Sequence, residues 1–278
     1  MLKCALATSK TSPDAYASAE GRRTSHYYGD SMGQVLLQFL GSRDAFGSGG
    51  RLQTCFLLRG GDGDVLIDCG ASSLIALKRA AVEPAEIGWV LLSHLHVDHF
   101  GGVPFLILDG QFSRRTRPLV VAGPPGLQTR MAETMEVCFP GSTRVTRRFS
   151  TELVELPERL TTPVGPARVT PFVVAHASGA PSYALRVEYG GKVITYSGDT
   201  EWTDALLDAA RGADLFICEA YCFNKKITGH LDYQTLCAHR ERIECRRTIL
   251  THMGPEMLSR LGEVEFECAE DGKIIVLS

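Results

Sequence analysis

The sequence contains no Cys-x-x-Cys pair, although it has nine cysteines. They are scattered at 4, 55, 69, 138, 218, 222, 237, 245 and 268, mostly in apolar runs such as "LQTCFLL" and "DLFICEA". That pattern excludes a disulfide scaffold and reads as reduced core thiols, so a cytoplasmic location is expected. An apolar run of about 18 residues is also lacking, so no segment is expected to span a membrane. Nor is there a large excess of charge: the net charge is −3. No global field then draws the chain to nucleic acid or an anionic membrane. Three local basic clusters (Arg114, Arg115 and Arg117; Arg144, Arg147 and Arg148; Arg246 and Arg247) read as solvated faces rather than a phosphate-guiding rim. Residues 1–31 show no period and no apolar central region of the secretory kind. They are expected to form a flexible leader, with the fold beginning at Met32. Repeats, linkers and low-complexity tracts are missing, so residues 32–278 are expected to form one domain with a sizeable core.

Short apolar strands alternate with helical patterns. "QVLLQFLGS" (34–42), "LQTCFLLRG" (52–60), "DVLIDCG" (64–70), "WVLLS" (89–93) and "PLVVAG" (118–123) read as strands between Gly-rich turns. "SSLIALKRAAV" (72–82) and "PPGLQTRMAETMEVCF" (124–139) read as helices. The second half repeats this grammar. Strands are expected at 151–156, 167–177, 182–190, 192–199, 213–220, 246–252 and 272–278, and helices at 203–212, 232–245 and 255–261. Strand-rich halves with helices between them predict an α/β (α+β) chain of two sheets packed face to face, helices outside.

The polar residues collect where strands end. "SHLHVDHFGG" (93–102) places three histidines and an aspartate within six positions. His94 and His96 point the same way in an extended segment, and Asp98 and His99 face a neighbouring point after the turn. The segment can thus supply two ligands to each of two ions, and neutral imidazole with carboxylate suits zinc, manganese or iron. Neither site is complete without donors from elsewhere. His176, Asp199 and His252 are the strand-end candidates, and a carboxylate such as Asp199 can bridge two ions. His26 and His239 read as ordinary polar residues.

In "HLHVDH", His176, "SGDT" with Asp199 and "LTHMG" with His252, the sequence resembles the metallo-β-lactamase superfamily over about residues 34–255. The resemblance implies a four-layer αββα sandwich with a dinuclear site at its edge. It assigns His94, His96 and His176 to one ion, and Asp98, His99 and His252 to the other, with Asp199 bridging. The ions implied are two divalent metals, zinc first, with manganese or iron accommodated by the same donors. "HASGAPSYALRV", "FLGSRDAF" and "FICEA" followed by "GHLD" are similar to the ribonuclease Z branch, in which a Glu and a His assist the departing group. These map to Glu219 and His230. Two features depart from that branch. Arg43 stands where Gly is usual, and reads as a surface salt bridge or a contact to substrate phosphate. Residues 177–198 leave no room for the long arm of tRNA-processing members, which argues against a large RNA partner.

The expected activity is hydrolysis of small phosphodiesters or nucleotides by a metal-bridged hydroxide. Asp98 would orient it, His230 would act on the phosphoryl or leaving oxygen, and Glu219 would hold the His230 ring. The alternatives are a tRNA 3′-processing endoribonuclease and a lactone or thioester hydrolase. Asp232 reads as a helix N-cap. A homodimer is common among relatives of this kind and stands as an open expectation.

Overall fold

Strand alternation places one set of apolar side chains between two sheets and the other set under helices. The computed structural model describes residues 34–278; the expected leader and His26 lie outside the described residues. In chain order, the first sheet receives β1 (Val35–Gly41), β2 (Cys55–Arg59), β3 (Val65–Ile67), β4 (Trp89–Leu91), β5 (Leu119–Gly123) and β6 (Thr151–Glu155). The second receives β7 (Thr162–Val164), β8 (Ala167–Val174), β9 (Ser182–Tyr189), β10 (Lys192–Tyr196), β11 (Leu215–Glu219), β12 (Thr248–Thr251) and β13 (Glu267–Cys268). The last strand, β14 (Ile274–Leu277), returns to the first sheet beside β1. The sheet orders are β14-β1-β2-β3-β4-β5-β6 and β13-β12-β11-β10-β9-β8-β7.

Val35, Leu37 and Phe39 of β1 and Phe56 and Leu58 of β2 meet Tyr183, Leu185, Val187 and Ile217 of the second sheet. Side chains on the opposite face (Leu40, Leu57, Leu66, Val90) lie beneath α1 (Ser73–Arg79), α2 (Val97–Phe100), α3 (Val103–Phe112) and α4 (Leu127–Cys138). On the far side, Ala184, Phe216, Cys218 and Leu250 pack under α5 (Ala205–Ala210), α6 (Tyr233–Ala238) and α7 (Pro255–Ser259). Both faces of each sheet are therefore apolar, which is why the strands read as nearly continuous hydrophobic runs. The architecture is the four-layer αββα sandwich that the resemblance implies.

Several elements differ from the sequence reading. Helix α3 is not foreseen, because Val103, Pro104, Leu106, Ile107 and Gly110 are buried with no one-sided apolar stripe to mark a period. The helix expected over 232–245 stops at Ala238, where His239 leaves helical geometry (φ −106°, ψ 2°) and a 3-10 turn follows. The short strands β7 and β13 are also unforeseen, being only three and two residues long.

Parallel pairing sets the position of the site. β3, β4 and β5 run parallel in one sheet, and β10, β11 and β12 in the other. Their C-terminal ends open on one edge of the sandwich. Loops there are held by a rigid scaffold and are free to carry polar groups.

Candidate metal centre

Each candidate donor follows the end of a strand. Asp68 follows β3, His94 to His99 follow β4, His176 follows β8, Asp199 follows β10, and His252 follows β12. The turn into α2 lets His96 occupy the N-cap position in extended geometry while Asp98 and His99 lie in the first helical turn. Gly198 precedes Asp199 at φ 61°, and a Cβ there would come within 2.5 Å of the Tyr183 carbonyl oxygen. Only glycine lets this turn bring Asp199 against the sheet.

The seven residues converge. His94, His96 and His176 form one donor group, and Asp98, His99, Asp199 and His252 form a second. The His176 Nε2 and His96 Nδ1 atoms are 3.0 Å apart. Asp199 Oδ2 lies 3.9 Å from His94 Nε2, 3.3 Å from His99 Nε2 and 3.2 Å from His252 Nε2, so it stands between the two groups. His99 Nε2 is 3.2 Å from Asp98 Oδ2. A third overlapping group joins His176, Asp199 and His230.

The far ring nitrogens explain why the near ones are bare. Ser93 Oγ donates to Asp68 Oδ2 at 2.8 Å, so the His94 Nδ1–H donates to Ser93 Oγ at 3.0 Å. The His99 Nδ1–H donates to Asp68 Oδ2 at 2.7 Å, and the His176 Nδ1–H to the Gly229 carbonyl at 2.7 Å. Thr54 Oγ1 donates to the Arg43 carbonyl, which leaves it to accept from His252 Nδ1 at 3.4 Å. In all four rings Nε2 is thereby aimed inward, the arrangement that ligating histidines require. His94 Nε2, His99 Nε2 and Asp199 Oδ1 are buried without a hydrogen-bond partner. Buried polar atoms are almost always paired. Two converging sets of bare imidazole and carboxylate donors fit two divalent cations.

Charge supports the same fit. Burial pushes the His94 imidazole well below its usual range, with the neighbouring His99 adding to it, so the ring is neutral. Burial opposes the Asp199 charge, but His252, His99 and His94 overcome it and hold the carboxylate well below its usual range. Burial likewise opposes a charge on His99, and Asp199, Asp98 and Asp68 override it, raising that imidazole well above its usual range. Three carboxylates around one buried point call for positive charge.

Asp68 is the residue that sequence reading misses. It is fully buried and takes a left-handed backbone (φ 57°), as does His252 (φ 55°). Such strain in a non-glycine residue persists where surrounding contacts enforce it, and it clusters at functional sites. Asp68 also accepts the Ser93 N–H at 2.8 Å. It anchors both His94, through Ser93, and His99. Asp68→Ala would orphan buried donors on Ser93 and His99, and is expected to destabilise the fold by about 2–4 kcal/mol, measured by urea unfolding. A loss below about 0.5 kcal/mol would contradict this.

Beside the donors sit Glu219 and His230. Glu219 is fully buried at the end of β11, and its Oε2 is 3.1 Å from His230 Nδ1. The backbone N–H of Thr200, next to Asp199, donates to Glu219 Oε1. Burial opposes a charge on His230, and the Glu219 carboxylate overcomes it, raising the imidazole to about 9. Its ring stacks against Tyr221 at 4.8 Å between centroids and lies 5.6 Å from the His252 ring, nearly parallel to it at 11°. His230 caps no helix: Asp232 is the N-cap of α6 and accepts from Thr235 N at 3.0 Å.

Several expected contacts take other forms. Arg43 reaches neither solvent nor a substrate phosphate. It is fully buried, and its three guanidinium nitrogens have no hydrogen-bond partner. Burial and the nearby Arg51 lower it to about 10, so it stays charged at neutral pH. The Ser182–Tyr183 pair does not face the donors. Ser182 Oγ donates to the His176 carbonyl at 3.0 Å and braces that loop, while the buried Tyr183 hydroxyl donates to the Leu156 carbonyl at 2.9 Å. Among the basic clusters, Arg115 is buried and donates to backbone carbonyls, including Pro84 and Pro118. Arg246 and Arg247 pair with Asp214 and Glu267. His239 stacks on Trp202 at 3.9 Å and lies outside the donor groups. Among the described residues, no helix is long and apolar enough to cross a membrane.

Known proteins share this fold. The human tRNase Z short form, ELAC1, superposes with a TM-score of 0.71 at 24% identity, over 87% of this chain and 99% of that one. A diphosphatase of the PhnP family superposes at 0.69 with 18% identity, over 87% and 97%. A ribonuclease Z of Agathobacter rectalis is 26% identical over 257 residues, covering 75% of this chain and 84% of its own. The family described as "Anti-Pycsar protein Apyc1" matches residues 35–271. The chain therefore belongs to the Anti-Pycsar protein Apyc1 family, in the ribonuclease Z-like branch of the metallo-β-lactamase fold.

Proposed function

We propose that this protein is a metal-dependent phosphodiesterase acting on small phosphodiesters or nucleotides. The observation that carries the reading is the His230–Glu219 pair set against the two donor groups. A lactone or thioester hydrolase has less use for a buried, carboxylate-held imidazole at that place. His94, His96 and His176 would hold one divalent ion, and Asp98, His99 and His252 the other, with Asp199 shared. Zinc suits these donors, as do manganese and iron. When bound, such ions supply Lewis acidity and a nucleophilic water at neutral pH.

The chain's own residues do the rest. Asp98, 9% exposed at its side chain, accepts a hydrogen bond from the attacking water and orients it. His230 presents Nε2 to the phosphoryl or departing oxygen and delivers a proton there, while Glu219 fixes its ring through Nδ1. Asp68, through Ser93 and His99, keeps the histidine rings from rotating.

The short connection after His176 favours a small substrate. β9 and β10 join through a two-residue turn, Gly190–Gly191, and fill most of residues 177–198. No arm projects there to grip a folded RNA.

A substrate panel on metal-replete protein tests the reading. Bis(p-nitrophenyl) phosphate and a cyclic nucleotide are expected to turn over, and an acyl-lactone, an acyl-thioester and a precursor tRNA to be cleaved at least about 100-fold less well in kcat/KM, some 2.7 kcal/mol of discrimination. Preference for the lactone or thioester would reject a phosphodiesterase, and efficient tRNA cleavage would make the protein a ribonuclease Z.

A further inference from the structure

The loop between β1 and β2 holds an aromatic ring out of the protein at the edge where the donors lie. Phe46, 84% exposed, is the most exposed large apolar side chain among the described residues. Single exposed apolar residues are ordinary on protein surfaces. Phe46 differs in how it is held and where. Asp44, itself buried, accepts from both the N–H and the Oγ of Ser48 at 2.9 and 2.7 Å. Gly47, Gly49 and Gly50 all adopt positive φ, so the chain turns back sharply after the ring. Gln53 Nε2 donates to the Ala45 carbonyl at 3.0 Å. The loop is thus built to a fixed shape with Phe46 at its tip, and nothing in that shape buries the ring.

Its base is tied to the donors. The His252 N–H donates to the Ser42 carbonyl at 3.1 Å, as does Thr251 Oγ1 at 3.2 Å. Gln53 also lies beside Gly70, which packs against the Asp98 carbonyl on the α2 turn. That turn carries a second exposed apolar side chain, Val97 at 61%, between His96 and Asp98. Tyr221 stacks on His230 at 4.8 Å between centroids. Phe46, Val97 and Tyr221 are therefore carried by three segments that each border the His/Asp cluster.

We infer that Phe46 is the stacking platform for the nucleobase of a nucleotide substrate, with its phosphodiester at the His/Asp cluster. The inference rests on the phosphodiesterase reading and adds the part of the substrate that confers selectivity. A planar base has the shape and polarity to cover an exposed ring, and stacking accepts any base. Phe46 is a positioning residue for binding and takes no part in bond cleavage.

The test compares the parent with Phe46→Ala and Phe46→Trp on a cyclic mononucleotide and on its abasic methyl riboside. Phe46→Ala is expected to raise KM for the nucleotide about tenfold and to leave kcat, and both constants for the abasic diester, unchanged. Phe46→Trp restores the nucleotide KM. An unchanged KM, or an equal rise for both substrates, overturns the platform; so does a change of oligomeric state on gel filtration with KM unaltered. If neither diester is cleaved by the parent, the phosphodiesterase reading fails while the platform is still decided. In metal-replete Phe46→Trp, adenosine 5′-monophosphate must then quench the new indole well beyond ribose 5-phosphate; equal quenching overturns it.

Discussion

Asp199→Ala is expected to lose metal and activity together while keeping its fold. Asp199 Oδ2 faces three histidines, and Oδ1 has no partner elsewhere. Among the described residues its side chain pairs only with these histidines, so near-ultraviolet circular dichroism should match the parent. Residues that merely orient ligands usually cost 10–100-fold in affinity or activity when removed. A shared ligand should cost more, so metal affinity is expected to fall by well over about 100-fold. Elemental analysis after dialysis reads it out directly. A variant that retains the parent's metal content and turnover would remove Asp199 from the centre and undo the two-ion reading.

His230→Ala is expected to behave in the opposite way: full metal content and a large loss of rate. General acid–base groups contribute about 10²–10⁴-fold. The loss should depend on the leaving group. An alkoxide needs the proton that His230 carries, whereas p-nitrophenolate leaves readily without one. Turnover of a cyclic nucleotide should therefore fall by about 10³-fold, and that of bis(p-nitrophenyl) phosphate far less. Because His230 also lies within the third donor group, metal content must be measured beside the rate. Loss of metal would make His230 a ligand, and an unchanged rate would leave it out of the chemistry.

The donor set was legible because its residues announce themselves by density and type. Three histidines and an aspartate within "HLHVDH" have few other uses, and His176, Asp199 and His252 each follow an apolar strand. Glu219 and His230 needed the resemblance, since a lone Glu closing a strand and a lone His in a loop carry no pattern. Asp68 escaped for a related reason. "DVLIDCG" contains one more strand-end carboxylate, and nothing local says that its two oxygens hold Ser93 and His99. That depends on β3 lying beside β4 in the sheet. Arg43 was misread because exposure is a property of the fold, and charged side chains are rarely buried without partners. The layers could be read from alternation, but α3 could not, because a helix buried on most sides loses the period that marks it.

The turn at Gly190–Gly191 has a practical meaning. It joins the end of β9 to the start of β10, while Asp199 follows the other end of β10, so the turn lies on the edge of the sandwich opposite the donors. Both glycines are exposed. Exposed loop tips tolerate inserted sequence best. An affinity tag or a fluorescent domain spliced between Gly190 and Gly191 would sit a full strand length from the chemistry, and would give a handle for immobilising the protein with its reactive edge facing outward.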